Sequence, residues 1–297
     1  MTFDMQRKMY PVVMLSPFFL LVAVFYLVPT ILTVLMSFTD MGYGMKWHFI
    51  GMRNFSAFMN FPFIGTIIRN TFVYVVFTLI CNVGIGFCIA LLTVFFMDEN
   101  IHSRIIRTIW MLPRITPSIV LVIMWAWFFS STDYGFLNKV TNFIGLEQIR
   151  WLSDHAMLAV ITANTFIGIS FAMLIFTSAM QSLPNDIFLA AEVDGSKKTT
   201  IIFSILLPAI KWPVMFVTIV QTLALMTSYE TTLLLTNGGP VMDTTVWSLY
   251  AYKKAFNYSE FGHGAALSLV LVSVSFTLTL LLLRFFDFDE MMKNTRL

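Results

Sequence analysis

Apolar residues run in six long stretches along the chain, at about 11–38, 70–97, 108–130, 156–181, 212–236 and 264–286. A helix that crosses a bilayer needs roughly 20 consecutive, mostly apolar residues, so each stretch predicts one spanning helix. Between the fourth and fifth stretches the pattern changes. Residues 182–213 form a polar, helix-breaking island: a short helix with Ala190 and Ala191, an acidic-glycine break at Asp194-Gly195, then Pro208 and Pro213. Such a knob suits the grip of a soluble partner.

Composition fits the same picture. With 58% hydrophobic and 11% charged residues, the chain could not clothe a globular core in a water-facing surface. The first stretch follows Arg7 and Lys8, but it is too long for the apolar part of a signal peptide and precedes no small-residue cleavage pattern. It reads as a retained span. Six spans put both termini on one side, together with the second and fourth loops. That side carries ten Lys and Arg (Arg7, Lys8, Arg104, Arg107, Lys197, Lys198, Lys211, Arg284, Lys293 and Arg296) against seven on the other (Lys46, Arg53, Arg69, Lys139, Arg150, Lys253 and Lys254). The bias toward basic cytoplasmic loops therefore predicts cytoplasmic termini and a cytoplasmic 182–211 loop.

Three longer segments, 39–69, 131–155 and 237–263, read as external loops with aromatic anchors. Within the last, Asn237-Gly238-Gly239-Pro240 is a turn signal, read equally as a re-entrant loop or a plain connection. Cys81 and Cys88 sit seven residues apart on one helix without ligand-like neighbours and read as packing residues. His48, His102, His155 and His263 are scattered, with no metal-ligand spacing, and no phosphate-binding Gly-x-x-x-x-Gly-Lys-Ser/Thr loop exists. The absence of a basic run excludes nucleic acid as a partner class and leaves membrane lipid.

Polar residues inside spans are costly, so they mark candidate sites. In the fourth stretch Asn164, Ile167, Gly168 and Phe171 recur at i, i+3, i+4 and i+7 and place an amide, a gap and an aromatic ring on one face. Gln221, Leu225 and Ser228 repeat that spacing in the fifth, with Tyr229 and Glu230 beside them. Amides, hydroxyls and a ring face are what a sugar site uses; contact between membrane helices favours the same polar and small residues, and the sequence leaves both readings open. Asn82, alone on the second span, reads as packing. Arg114 and Glu230 are the charges that stand against a wholly neutral pathway.

The island resembles the coupling loop of binding-protein-dependent ABC importer permeases. It carries Leu183-Pro184, Ala190-Ala191, Asp194-Gly195-Ser196, Phe203, Ile205, Leu207-Pro208 and Pro213 at that family's spacing. Ser37-Phe38-Thr39-Asp40, Gly51-Met52-Arg53-Asn54-Phe55, Asn70-Thr71, Leu112-Pro113, Trp125-Ala126-Trp127 and Thr236-Asn237-Gly238-Gly239-Pro240 are similar to its carbohydrate branch, the maltose and glycerol-phosphate permeases. The subunit type is akin to the larger maltose permease, without that protein's extra amino-terminal spans. The resemblance implies an all-α membrane protein with the type I ABC importer permease fold, one domain over 1–297, and no catalysis of its own. It further implies a second homologous permease subunit, two copies of a cytoplasmic ATPase that hold the ATP and Mg, and an extracytoplasmic solute-binding protein. Leu189, Ala190, Ala191, Glu192, Asp194, Gly195, Phe203 and Pro208 are then the expected ATPase-docking residues, and Asn164, Gly168, Phe171, Gln221, Leu225, Ser228, Tyr229 and Glu230 the expected substrate pathway. The sequence departs from the family at Leu189, which stands where the family keeps Glu; Glu192 lies three residues on, on the same helical face. A standalone secondary transporter, or an ABC permease for another solute, are the competing readings.

Overall fold

The computed structural model describes residues 2–97, 100–132 and 134–288. Lys293 and Arg296 of the charge count, and the side chains of Arg7 and Lys8, lie outside the described residues. Among those described, the regular secondary structure is all helical, with one isolated bridge, Thr39 to Phe49, in the loops. The labelled helices are α1 (Val12–Ser37), α2 (Ile64–Phe96), α3 (Ile101–Ile115), α4 (Ser118–Phe128), α5 (Ala156–Gln181), α6 (Asn185–Val193), α7 (Lys198–Ala209), α8 (Lys211–Thr227), α9 (Glu230–Thr236) and α10 (Phe261–Phe285). Four described helices, α1, α2, α5 and α10, are long and apolar enough to cross a bilayer alone. The number rises to six if each of the bent pairs, α3 with α4 and α7 with α8, is one crossing.

Two expected spans are not single helices. The 108–130 stretch breaks at Thr116-Pro117, where α3 and α4 meet at 103°. Proline's ring drives the residue before it out of the α region, and Thr116 is extended at φ −84°, ψ 135°. The 212–236 stretch ends early, at Thr227. Ser228 is extended (φ −71°, ψ 122°), and a new helix, α9, starts at Glu230. No proline or glycine causes this break. A side chain from elsewhere stabilises it, since Ser248 Oγ donates to the Ser228 carbonyl at 2.7 Å.

The chain divides into two compact units, 1–62 with 251–272 and 63–250 with 273–297. In the first, Asn54 is buried and its amide donates to the carbonyls of Ser37 and Thr39, both at 2.8 Å, closing off the end of α1. The apolar window of α1 itself buries none of its residues within the chain. In the second, α2, α5, α7 and α8 share a core of Ala90, Ala172, Phe176, Met180, Leu206, Ile210 and Val217. Small residues let these helices approach closely, as membrane helices must when no hydrophobic drive separates lipid from neighbour. A side chain at Gly86 of α2 would meet Ala172 Cβ at 2.6 Å and the Met173 backbone nitrogen at 2.9 Å.

The predicted outer turn is a tight one. Asn237 takes the left-handed conformation (φ 50°) and caps α9, and Thr245 Oγ1 and Thr244 Oγ1 donate back to the carbonyls of Gly238 and Gly239 at 2.9 and 2.8 Å. Both cysteines are free; Cys81 is half-buried and Cys88 exposed within the chain, so Cys88 makes little packing contact inside this chain itself.

Candidate functional site

The two polar stripes meet. The stripe of α5 (Asn164, Ile167, Gly168, Phe171) and the stripe of α8 (Gln221, Leu225, Ser228) line one cavity of about 270 Å³, together with Arg114 from the last turn of α3. Helix α3 is held against α5 by Ser170 Oγ, which donates to the Trp110 carbonyl at 2.6 Å, and by Trp110 against Phe166, 6.0 Å between ring centroids. The break at Thr116 follows at once, so Arg114 lies at the end of an anchored helix.

In the wall of the cavity, which Gly168 and Gln221 line, lies a buried hydrogen-bonded knot. Asn82 of α2 is fully buried and donates to Gln221 Oε1 at 2.8 Å, while Gln221 Nε2 donates to the Gly168 carbonyl at 3.0 Å. Gly168 is the gap that admits Asn82: a Cβ there would lie against the Asn82 amide nitrogen, 2.6 Å from its Cγ. An amide of α2 thus fills the gap that the sequence pattern leaves beside Gly168, while Gly168 and Gln221 still line the cavity. Gln221, only 6% exposed, is likewise engaged at both ends of its amide. Loss of that amide would leave Asn82 buried without an acceptor, and an orphaned buried donor costs about 1–3 kcal/mol. Gln221→Ala is therefore expected to lower thermal stability by that amount, read by unfolding of the purified protein in detergent; an unchanged melting temperature would show the knot to be dispensable.

The rim is freer. Asn164 is half-buried and makes a 3.3 Å bond to Thr231 Oγ1. Ser228 Oγ accepts from Tyr74 at 3.2 Å. Phe171 has the Arg114 guanidinium over its ring, 5.5 Å from the centroid, and Phe216 at 6.4 Å. The ring face expected to stack a sugar thus has a cation on one side. Leu225 is buried and supplies apolar wall. Tyr229 and Glu230, expected in the same pathway, do not line this cavity, because the chain has left α8 at Ser228. Glu230 is exposed, and its carboxylate accepts from Ser118 Oγ at 3.2 Å. Arg114 is the charged lining residue absent from the two predicted stripes, which also lack the apolar Val220 and Ala224. It sits on a different helix, so no periodicity in α5 or α8 could bring it in.

The island folds as expected of a helix with a glycine stop. Helix α6 ends in a Schellman arrangement: the Ser196 amide bonds the Ala191 carbonyl and the Gly195 amide bonds the Glu192 carbonyl, both at 3.0 Å. Gly195 is left-handed at φ 75°, a conformation glycine adopts without steric cost. Leu189, Val193 and Phe203 are 54%, 88% and 68% exposed, and Ala190, Glu192, Asp194, Gly195 and Pro208 are exposed as well. Ala191 differs. It is buried at 8% and packs inward, so it offers no docking surface. Phe188, on the inner side of α6, packs edge-on against Phe95 at the end of α2, with centroids 5.7 Å apart.

Residues 82–288 match the family described as binding-protein-dependent transport system inner membrane component. The arabinooligosaccharides transport system permease protein AraP of Halalkalibacterium halodurans is 28% identical over 274 residues, 90% of this chain and 84% of that one. The trehalose/maltose transport system permease protein MalF of Thermococcus litoralis is 26% identical, over 86% of each chain. In fold, the chain is similar to a solved bacterial ABC transporter involved in the import of the acidic polysaccharide alginate, with a TM-score of 0.84 over 96% of this chain and 97% of that one at 19% identity. A polar cavity between packed apolar helices, an exposed helical loop and a family match across most of the length converge on one conclusion: the chain belongs to the inner membrane components of binding-protein-dependent transport systems, the multi-pass permeases of ABC transporters.

Proposed function

We propose that this chain forms half of the translocation pathway of an ATP-driven importer for a sugar, oligosaccharide or polyol. It has no catalysis of its own and works with a second homologous permease, two copies of a cytoplasmic ATPase and a solute-binding protein. The observation that carries the reading is the convergence of the two polar stripes, one of them carrying the Phe171 ring, on one cavity; amide and hydroxyl groups beside a ring face suit a polyhydroxy ligand. The carbohydrate cargoes named for the relatives support the same class. In this reading the chain crosses the membrane six times with both termini cytoplasmic, in keeping with the ten-to-seven bias of basic residues. The exposed outer surface of α6 and Phe203 then meet the ATPase, with Leu189 giving an apolar contact where the coupling-loop pattern that the island resembles has a Glu.

Asn164→Ala tests the pathway without touching the knot. In vesicles holding the assembled importer, its half-saturating substrate concentration is expected to rise about tenfold, the loss of one hydrogen bond of roughly 1–1.5 kcal/mol. ATPase association should remain intact. Uptake at the parent level would reduce Asn164 to a contact between α5 and α9.

A further inference from the structure

The cavity is lined by a cation, the exposed side chain of Arg114, that no described ion pair neutralises. Arg114 takes part in none of the described ion pairs, and no Asp or Glu lines the cavity. Glu230, the acid nearest in sequence to the α8 stripe, has its carboxylate on Ser118 Oγ. What Arg114 has instead is the face of Phe171, at 5.5 Å. A charged side chain among spanning helices is costly and finds a partner or a water-filled path, and the ring's quadrupole supplies only about 0.5–2 kcal/mol of that. The guanidinium is also the side chain best shaped for a planar oxyanion, with paired parallel donors.

We propose that Arg114 is an anion subsite, and that the transported carbohydrate carries a negatively charged oxyanion group, a carboxylate, phosphate or sulfonate. The proposal rests on the carbohydrate reading above and narrows it. When the anion binds, the guanidinium turns from Phe171 to the oxyanion, and the ring face it covered becomes free for the sugar. One side chain thereby links recognition of charge to recognition of the ring: a neutral sugar has to displace the cation from Phe171 without offering it a partner, whereas an acidic one draws it away.

The test uses the complete importer in vesicles with its binding protein, and reads ATPase stimulation by size-matched probes: trigalacturonate, its fully methyl-esterified form, glucose 6-phosphate, glucose 6-sulfonate, glucose and maltotriose. At least one acidic probe is expected to stimulate where its neutral counterpart does not. Arg114→Gln should then raise the half-saturating concentration of that probe about ten- to a hundredfold, the range of a charge-assisted hydrogen bond. Arg114→Lys, which keeps the charge and loses the fork, should fall between. Stimulation by neutral carbohydrates alone overturns the anion subsite and leaves the carbohydrate importer standing. Stimulation by no carbohydrate overturns both. An acidic response unchanged by Arg114→Gln, or an Arg114→Gln chain that no longer assembles with its permease partner, assigns the guanidinium elsewhere and also overturns the subsite.

Discussion

Gly195→Pro is expected to abolish transport while the protein still inserts, folds its core and keeps its cavity. Gly195 holds φ at 75° and gives its amide to the Glu192 carbonyl. Proline fixes φ near −65° and has no amide to give, so the Schellman stop of α6 cannot form; the local cost is about 3 kcal/mol or more. If the importer uses that loop shape to meet its ATPase, a deficit of this size leaves the competent loop more than a hundredfold less populated. Uptake into vesicles and ATP hydrolysis by the assembled complex are the readouts, and hydrolysis should no longer respond to substrate. Two further substitutions separate shape from side chain. A Cβ at Gly195 would meet nothing within 4 Å, so any penalty is conformational, and transport should rank Gly, then Asn, then Ala, then Pro, because Asn visits the left-handed region at low cost. A Pro variant that transports like the parent would remove this loop from the coupling path.

The second large effect is expected at Gly86, where α2 crosses α5. Gly86→Val is expected to cost at least about 3 kcal/mol, the upper range for overpacking, and to reduce the folded, membrane-inserted protein sharply. The obstruction is partly backbone: the Met173 nitrogen would sit 2.9 Å from the new Cβ, besides Ala172 Cβ at 2.6 Å. Gly86→Ala should already be harmful, and Ala172→Gly in that background should recover part of the loss, a coupling that a double-mutant cycle measures directly. Gly84, two residues earlier on the same helix, has nothing within 4 Å of its would-be Cβ. Gly84→Ala should therefore be neutral or slightly stabilising. Equal thermal stability of the Gly84 and Gly86 variants would contradict the close approach.

The two stripes were legible because helical periodicity is a property of one segment at a time. Asn164, Gly168 and Phe171 share a face of α5 whatever surrounds them, and Gln221, Leu225 and Ser228 share one of α8. What each face meets depends on other helices. The Asn82 amide that fills the gap at Gly168, and the guanidinium over Phe171, come from α2 and α3, and nothing in the local pattern announces them. The breaks divide in the same way. Pro117 was a visible reason for the 103° turn between α3 and α4, although its size depends on packing. The end of α8 at Thr227 had no local signal, since the groups that stabilise extended Ser228, the hydroxyls of Ser248 and Tyr74, lie far off in sequence. That is also why the sequence alone sets Tyr229 and Glu230 beside the stripe in one pathway. The inward packing of Ala191 follows from the docking of α6 on its neighbours, which a short helix with apolar residues on several faces leaves undetermined.

The knot of Asn82, Gln221 and the Gly168 carbonyl has a consequence for how such a chain diversifies. Because Gln221 spends both ends of its amide on Asn82 and the Gly168 carbonyl, and Asn82 is fully buried, the groups freest to address a passing molecule are those of the rim: Asn164, Ser228, Arg114 and the face of Phe171. Cargo preference can then drift by single substitutions at the rim with little loss of stability, while changes in the knot are filtered out by misassembly before their effect on preference is felt. Directed evolution toward a new sugar should accordingly accumulate its early changes at the rim and leave Asn82, Gly168 and Gln221 untouched.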